Sequence, residues 1–381
     1  MPDKGLKELA IYIHVPFCDH KCIYCDFYSI ITSDNISSFL QSLKKEIKYY
    51  AVNYSSDRII TSIFFGGGTP SLMQPEYLEE IIFSIAENYN VSADAEITME
   101  TNPGTVDKDK LQRFRTAGIN RISIGVQSFN DDELKFLTRI HDSNTALQTL
   151  HNAADAGFVN ISLDLIFNLP GQTKQKWISN LKQAIQLPIK HISTYSLILE
   201  RGTILNKMIL DGKVKMQSDD HDADLYETTI EFLTQHGFYQ YEVSNFTKLG
   251  YECKHNNAYW QYKDYLGLGT SAHSFIDGRR WWNFSSFKKY IGEIEKHNHA
   301  IAGYEDLTEE DAHNEFVMLA LRSSGLILKN YKEKFGDDWL NKNYHYFEQL
   351  ENDNYIYNEN NIIKLTKKGY AVCDEILQNI L

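Results

Sequence analysis

Residues 14–29 read HVPFCDHKCIYCDFYS and place three of the chain's five cysteines, Cys18, Cys22 and Cys25, within eight residues. The other two cysteines stand far apart in the sequence. An odd number of cysteines, three of them crowded on one short stretch, indicates a metal or cluster site in a reducing compartment rather than a set of disulfides. Soft thiolates suit iron–sulfur chemistry, and each of the three can bind one iron of a cluster.

Two kinds of metal site fit this spacing. Three thiolates on a four-iron cluster leave one iron without a protein ligand, and a small molecule can chelate that iron. A structural zinc site is the alternative; it normally has four protein ligands, and His14 or His20 could complete the set. The spacing favours the iron–sulfur cluster without excluding zinc.

Composition sets the class of protein. The chain has 381 residues, which at about 150 residues per domain suggests two or three domains, or one large α/β barrel with an appendage. The 38 Lys and Arg against 51 Asp and Glu give a net charge of -13, which opposes binding to nucleic acid and anionic lipid. No run approaches about 18 apolar residues and the N-terminus lacks a secretory pattern, so we expect a cytoplasmic protein.

Short apolar strand patterns alternate with amphipathic helical patterns over residues 9–199. Ile36, Phe39, Leu43 and Ile47, for example, recur at helical spacing on one face. Repeated strand–helix units imply parallel strands, so the sheet is either doubly wound or a closed or partly closed barrel. Polar and glycine-rich residues directly follow the strands, where parallel α/β folds place their active sites. The predicted strands are 9–15, 60–65, 95–100, 121–127, 161–168 and 191–199, and the predicted helices are 36–50, 77–88, 108–117, 144–156 and 173–187.

The alternation weakens in the last part of the chain. A predicted helix over 220–236 leads into an aromatic stretch without a regular pattern. A capping box at Thr308 and Asp311 then opens a helix over 309–322, and short helices, a β-ribbon and a last helix follow. This end resembles a small winged-helix-like α+β domain. Residues 301–381 hold 8 Lys and Arg against 15 Asp and Glu, so they lack the basic footprint of a DNA-binding winged helix.

At the three clustered cysteines the sequence resembles the radical S-adenosylmethionine (SAM) superfamily, whose signature C-x3-C-x-aromatic-C takes its aromatic residue here from Tyr24. FGGGTP at 65–70 is similar to the superfamily's GGTP loop, and ETNP at 100–103 to its E-x-N-P motif. The resemblance implies a partial (β/α)6 TIM-like barrel, a 4Fe–4S cluster on the three cysteines and SAM at the open iron, and it weakens the zinc alternative. By the same resemblance, the SAM-binding residues are Tyr12, Tyr24, Gly67, Gly68, Thr69, Glu100, Gln127, Arg139 and Asp164.

Several of these residues have an ordinary structural interpretation when each is taken singly. Arg139 could be a solvated helix charge, and Asp164 a buried strand residue with a local partner. A glycine run such as that in FGGGTP could be a plain tight turn. The joint order of the motifs, rather than any one residue, carries the assignment.

Longer motifs, from YIHVPFC at 12–18 to YLGLGTSAHSF at 265–275, resemble the family of oxygen-independent coproporphyrinogen III oxidase over nearly the whole chain. That family holds a radical SAM decarboxylase of heme biosynthesis and a heme chaperone that hands heme to client proteins. The decarboxylase has a fourth cysteine two positions after the third, and a longer N-terminal segment. Here that position holds Phe27, and 17 residues precede Cys18, which favours the chaperone and leaves the decarboxylase as the alternative.

The stretch HNNAYW at 255–260 matches the H-N-x-x-Y-W motif of the heme chaperones. Imidazole is a good axial ligand for heme iron, and flat aromatic side chains can cover a porphyrin face. A satisfied loop histidine beside core aromatics is the alternative, and for Cys253, two residues upstream, a buried free thiol is the expected role. The resemblance assigns heme contact to His255, Asn256, Tyr259 and Trp260.

We therefore expect a radical SAM barrel over 1–235, an irregular extension with the HNNAYW motif over 236–300, and a winged-helix-like domain over 301–381. The expected cofactors are the 4Fe–4S cluster, SAM and heme. The expected partners are heme-accepting client proteins, including membrane respiratory enzymes, and an electron donor, without nucleic acid and without direct membrane insertion. Whether SAM is cleaved or serves as a structural ligand stays open.

Overall fold

Six parallel strands, side by side in chain order, form the centre of the molecule. The computed structural model describes residues 5–32 and 34–381. The strands are β1 (Lys7–Val15), β2 (Arg58–Gly67), β3 (Asn90–Thr101), β4 (Arg121–Gln127), β5 (Asn160–Phe167) and β6 (His191–Ser196). The helices between them are α1 (Ile36–Tyr54), α2 (Pro75–Asn88), α3 (Lys108–Thr116), α4 (Asp131–Phe136), α5 (Ser143–Asp155) and α6 (Lys174–Ala184).

The apolar pattern of the sequence explains how these elements pack. Phe39, Leu43 and Ile47 on one face of α1 are fully buried in the main core, which the helices form with the outer face of the sheet. The strands are rich in Ile, Leu, Val and Phe because both of their faces are covered. All six predicted strands are present, and the predicted α/β fold is confirmed.

The segment after β6 extends this sheet at both edges. It contains α7 (Ile204–Leu210), α8 (Asp219–Gln235), β7 (Tyr239–Gln240), β8 (Asn245–Thr247), α9 (Lys254–Trp260), β9 (Tyr265–Gly269), β10 (His273–Ile276), β11 (Arg279–Asn283), α10 (Phe287–His297) and β12 (Ile301–Asp306). The resulting order is β12-β11-β10-β9-β1-β2-β3-β4-β5-β6-β8-β7. Because β1 pairs with β9 and β6 with β8, the six parallel strands stay an open, partial (β/α)6 barrel.

The expectation of an irregular extension over 236–300 is corrected by these strands. The sequence did not predict β9 because two of its five residues are glycines, and glycine is depleted in strands. The glycine at 267 is required there, because a Cβ atom on it would lie 2.1 Å from the carbonyl oxygen of His273. The expected boundary at residue 301 also shifts, since β12 pairs with β11 and belongs to the large sheet.

A buried carboxyl group ties this extension to the first helix. Glu46 of α1 is fully buried and accepts hydrogen bonds from the Gly269 N–H (2.9 Å), Asn283 Nδ2 (2.6 Å) and the Tyr290 hydroxyl (2.7 Å). Its partners come from β9, β11 and α10. One side chain thus fixes the added strands against the barrel, and a buried carboxylate with three donors is well compensated.

The C-terminal domain has its own apolar core and a small antiparallel sheet with the order β13-β15-β14. The capping box at Thr308 and Asp311 is present at the start of its first helix. The elements are α11 (Glu309–Leu321), β13 (Leu326–Ile327), α12 (Leu328–Phe335), α13 (Asp338–Lys342), α14 (Tyr344–Asn352), β14 (Ile356–Glu359), β15 (Ile362–Leu365), α15 (Lys367–Ala371) and α16 (Cys373–Ile380). Throughout the described residues, no helix has the length and apolar character needed to cross a membrane.

Candidate functional site

The three clustered cysteines lie on the loop between β1 and α1, at the carboxyl end of the parallel strands. All three are half-buried free thiols. The Cys18 N–H donates to the carbonyl of Ile30 (3.0 Å), and the Cys25 N–H donates to the carbonyl of Cys22 (3.2 Å). Burial raises the pKa of the Cys18 and Cys25 thiols. Metal binding at this loop would therefore release protons.

A cavity of about 510 Å³ opens beside this loop and is framed by the carboxyl ends of the strands. Parallel α/β barrels place their ligand sites at this end. Of the residues predicted to hold the cluster and SAM, all but one line this single cavity. They are Cys18, Cys22, Tyr24, Cys25, Gly67, Gly68, Thr69, Glu100, Gln127, Arg139 and Asp164.

The glycine loop after β2 packs directly on the segment that leads into the cysteines. The Gly68 N–H donates to the Val15 carbonyl (2.8 Å), and the Thr69 N–H donates to the Phe17 carbonyl (2.7 Å). A Cβ atom on Gly68 would lie 2.6 Å from that Phe17 oxygen, so only glycine fits. The Thr69 hydroxyl also lies 3.5 Å from Cys18 Sγ. The loop is a cradle for the cysteine segment as well as a wall of the cavity.

Two carboxyl groups face the cavity from neighbouring parts of the barrel. Glu100, at the end of β3, accepts a hydrogen bond from the Gly67 N–H (3.2 Å), and Asp164 of β5 accepts one from the Ser123 hydroxyl (3.2 Å). Burial and then repulsion by Asp164 raise the pKa of Glu100 to about 7. Burial also raises the pKa of Asp164. Such a pair can accept hydrogen bonds from the hydroxyl or ammonium groups of a ligand.

Arg139 connects the cysteine loop to the strands instead of pointing into solvent. Its Nη2 donates to Asn102 Oδ1 (2.6 Å) and to the Gly125 carbonyl (2.9 Å), and its Nη1 lies 3.7 Å from Cys22 Sγ. The solvated helix charge that the sequence allowed is therefore not what the structure shows. Gln127, at the end of β4, has a φ of 67°, in the left-handed region. Residues other than glycine rarely adopt this conformation, and those that do are frequently found at functional sites.

Tyr12 is the predicted SAM residue that does not line the cavity. Its hydroxyl lies 3.2 Å from His14 Nδ1, and its ring stacks on Phe64 at a centroid distance of 6.2 Å. Tyr12 therefore sits one layer below the cavity wall, inside the barrel.

The HNNAYW motif forms helix α9, which packs against β2 nearer the amino ends of the strands. His255 is only 2% exposed. Its Nδ1 lies 3.0 Å from the Ser62 hydroxyl and its Nε2 2.8 Å from the Tyr259 hydroxyl. Burial, with a smaller effect of the Arg121 charge, lowers the pKa of His255 to about 3, so the ring is neutral. Ser62 precedes Gly67 by five residues, about 16 Å of strand.

The rest of the motif is less deeply placed. Asn256 and Trp260 are half-buried, and the Asn256 N–H points to Cys253 Sγ at 3.5 Å. Cys253 is fully buried, and burial raises the pKa of its thiol to about 12. The expected buried free thiol is what the structure shows for this residue.

Three further residues on the cavity wall have no role in the sequence-based site: Asn102, Ser123 and Tyr195. Asn102 lies within ETNP, but the motif alone did not show that it accepts from Arg139 and donates to the Thr69 hydroxyl (2.8 Å). Ser123 and Tyr195 are inward positions of β4 and β6. Polar residues at alternate positions of an otherwise apolar strand were the signal that could have found them.

Comparison with known proteins gives a consistent result along the chain. Residues 12–184 match the radical SAM superfamily, and residues 307–372 match the HemN C-terminal domain. Heme chaperone HemW of Bacillus subtilis (strain 168) is 34% identical over 370 residues, 96% of this chain and 97% of that protein. Heme chaperone HemW of Lactococcus lactis is 32% identical over 98% of each chain.

The fold also has a solved counterpart. The structure of coproporphyrinogen III oxidase (HemN) from Escherichia coli, described as a radical SAM enzyme, aligns with a TM-score of 0.83. It covers 98% of this chain and 90% of its own, at 24% sequence identity. At that level of identity the likeness establishes the fold.

Proposed function

Because this chain belongs to the HemW family of heme chaperones within the radical SAM superfamily, we propose that it binds heme and delivers it to client hemoproteins. The observation that carries this proposal is the match to two HemW chaperones over almost the full length of all three chains. The clients would include respiratory enzymes, which the chaperone would meet at a membrane from the cytoplasm. The net charge of -13 disfavours nucleic acid as a partner.

The cavity at the strand ends fits a 4Fe–4S cluster and SAM. Three soft thiolates on one loop are the donor set that such a cluster takes, and the Gly68 cradle leaves no room for a side chain between this loop and the barrel. When bound, the cluster supplies an electron and an open iron for SAM. Cys18, Cys22 and Cys25 would hold the cluster, and the polar residues of the cavity wall would orient SAM.

Coproporphyrinogen decarboxylation is the alternative function. The position of the decarboxylase's fourth cysteine is taken by Phe27, whose side chain lines the cavity and is 60% exposed. A phenyl ring there cannot act as a thiolate ligand. We therefore expect no conversion of coproporphyrinogen III by cluster-loaded protein with SAM and a reductant.

For heme, the residues we propose are His255, Asn256, Tyr259 and Trp260. His255 carries the ligand role because a neutral imidazole binds heme iron, and its low pKa keeps it neutral. In the structure both ring nitrogens already have hydroxyl partners, so heme binding through His255 requires α9 to move away from Ser62.

The test is a heme titration of anaerobically reconstituted protein, followed by the Soret absorbance. We expect stoichiometric binding, a loss of at least about tenfold in affinity for His255→Ala, and wild-type affinity for His151→Ala, an exposed histidine on α5. Failure of the wild-type protein to bind heme, together with formation of protoporphyrinogen IX in a parallel assay, would overturn the chaperone in favour of the decarboxylase. Unchanged affinity in His255→Ala would overturn the ligand assignment alone.

A further inference from the structure

The SAM cavity and the heme motif share one stack of aromatic rings inside the barrel. Tyr12 stacks on Phe64 at a centroid distance of 6.2 Å and an interplanar angle of 28°. Phe64 in turn stacks on His255 at 4.9 Å and 27°. The Phe64 ring therefore packs against both a predicted SAM residue and the predicted heme ligand, and the Tyr12 and His255 rings also approach each other directly, at a centroid distance of 6.2 Å.

The upper end of this stack lies at Gly66, beside Glu100 of the cavity wall. A Cβ atom placed on Gly66 would lie 3.0 Å from the Phe64 ring, 3.0 Å from the Tyr12 ring and 3.1 Å from Glu100 Oε2. These three side chains thus converge on the space left by one missing methyl group. Because the three side chains pack around Gly66, a shift of Phe64 would change the packing beside Glu100, which faces the cavity.

The lower end of the stack is held by His255 and helix α9. Besides Phe64, the His255 ring contacts Tyr259 edge-on at 4.9 Å, and both of its nitrogens have hydroxyl partners. The helix is tied to β3 by Lys254, whose Nζ donates to the Asp94 carbonyl (2.7 Å). Heme iron can reach the imidazole only after these contacts break, and the same movement removes the lower support of Phe64.

We propose that SAM binding and heme capture by His255 oppose each other, with Phe64 as the positioning residue that couples them. The proposal rests on the proposed function, since it assigns the heme ligand to His255. SAM favours the closed state, in which the stack supports Glu100, and heme selects the open state, in which His255 has left Phe64. Because both ligands act on one two-state equilibrium, each must weaken the other by the same factor.

Two titrations of cluster-loaded protein test the coupling. Saturating SAM should lower heme affinity, measured by the Soret absorbance, by about fivefold or more, and saturating heme should lower SAM affinity, measured calorimetrically, by the same factor. The rate at which iodoacetamide alkylates Cys253, followed by mass spectrometry, should rise with heme and fall with SAM, because this buried thiol caps α9.

Phe64→Leu should reduce the coupling factor toward one. Phe65→Leu is the matched control, since Phe65 is the adjacent residue of β2 and is buried in the outer core, and it should keep the coupling. If heme binds through His255 but neither affinity depends on the other ligand in the wild-type protein, the coupling is wrong and the chaperone function stands. If His255→Ala keeps full heme affinity, the ligand assignment and the coupling both fall.

Discussion

Glu100 and Asp164 present two carboxyl groups to one cavity, and the barrel raises the pKa of both. A SAM molecule would bring two cationic groups, an ammonium and a sulfonium, to this site. Ionised carboxylates are therefore the form that the ligand needs, whereas the ligand-free barrel holds Glu100 protonated up to a pH of about 7. SAM binding should therefore release a proton from this pair of carboxyl groups.

We expect the SAM affinity of cluster-loaded protein to fall by about tenfold per pH unit as the pH drops below about 7, because a protonated Glu100 presents no negative charge to the cationic groups of the ligand. Glu100→Gln should bind SAM more weakly at pH 8 and lack this pH dependence. Glu79→Gln, an exposed glutamate of α2, should behave as wild type. Calorimetric titration across this pH range is the measurement, and a flat wild-type profile would contradict the assignment.

The raised pKa of Glu100 also makes the stability of the ligand-free protein depend on pH. A carboxyl group whose pKa is higher in the folded state than in the unfolded chain binds its proton more tightly when folded. Between about 4.5 and about 7, the contribution of Glu100 to the free energy of unfolding therefore decreases as the pH rises. SAM, which binds only the folded protein, would offset this loss.

At the scale of elements, the glycine loop after β2 is the piece that positions the cysteines. Its backbone contacts with Val15 and Phe17 leave no volume beside Gly68, and the nearest atoms are carbonyl oxygens rather than the ends of flexible side chains. A contact with backbone cannot be relieved by a rotamer change. The geometry of the cluster loop therefore depends on a residue that is not a ligand.

Gly68→Ala should push the loop away from the cysteine segment, lower the free energy of unfolding by about 1–3 kcal/mol and reduce cluster incorporation. Iron content after anaerobic reconstitution and thermal unfolding are the measurements. Gly292→Ala is the control, because Gly292 lies on helix α10 with open space at its Cβ position, and there we expect unchanged iron content. Full cluster loading in Gly68→Ala would show that the loop can shift to accommodate a methyl group without disturbing the cysteines.

The sequence predicted β1 to β6 because each is a short run rich in β-branched and aromatic residues and bounded by polar, glycine or proline residues, which together distinguish a strand from a buried helix. It did not predict β9, whose glycines depend on a close approach to His273 that only the folded chain reveals. It also did not predict α4 and α7, since helices of six and seven residues are too short to show a helical period. The local sequence pattern was therefore sufficient to predict the long elements, but not the elements that depend on contacts with distant residues.

At the scale of the whole molecule, most predicted site residues converge although they come from separate strand ends. That convergence was predictable, because parallel strands bring their carboxyl ends to one edge. The position of His255 was not predictable, since its contact with Ser62 spans 193 residues and depends on α9 folding back under the barrel. His255 and the residues of the cavity, which are distant in the sequence, are thus linked inside the barrel through the rings of Phe64 and Tyr12.

The C-terminal domain is joined to this barrel by a charged contact. Arg280 of β11 donates from Nη2 to both carboxylate oxygens of Glu315 on α11 (2.8 and 2.7 Å), and from Nη1 to Glu305 of β12 (2.9 Å). About three quarters of each side chain in the Arg280–Glu315 pair is shielded from solvent. A largely buried pair in which one guanidinium nitrogen binds both carboxylate oxygens contributes more than an exposed ion pair, since it fixes an orientation.

Arg280→Ala should loosen the C-terminal domain from the large sheet, because it leaves the partly buried Glu315 carboxylate without its cation. We expect a loss of about 1.5–3 kcal/mol in the free energy of unfolding and faster proteolysis near Leu307, in the two-residue link between β12 and α11. Calorimetry and limited chymotrypsin digestion, which can cleave after Tyr304 and Leu307, are the measurements. Arg279→Ala is the matched control, because the neighbouring Arg279 pairs with Asp306 in an exposed position and its removal should change little. Equal sensitivity of the two variants to chymotrypsin would show that apolar packing, and not the Arg280 pair, holds the domain in place.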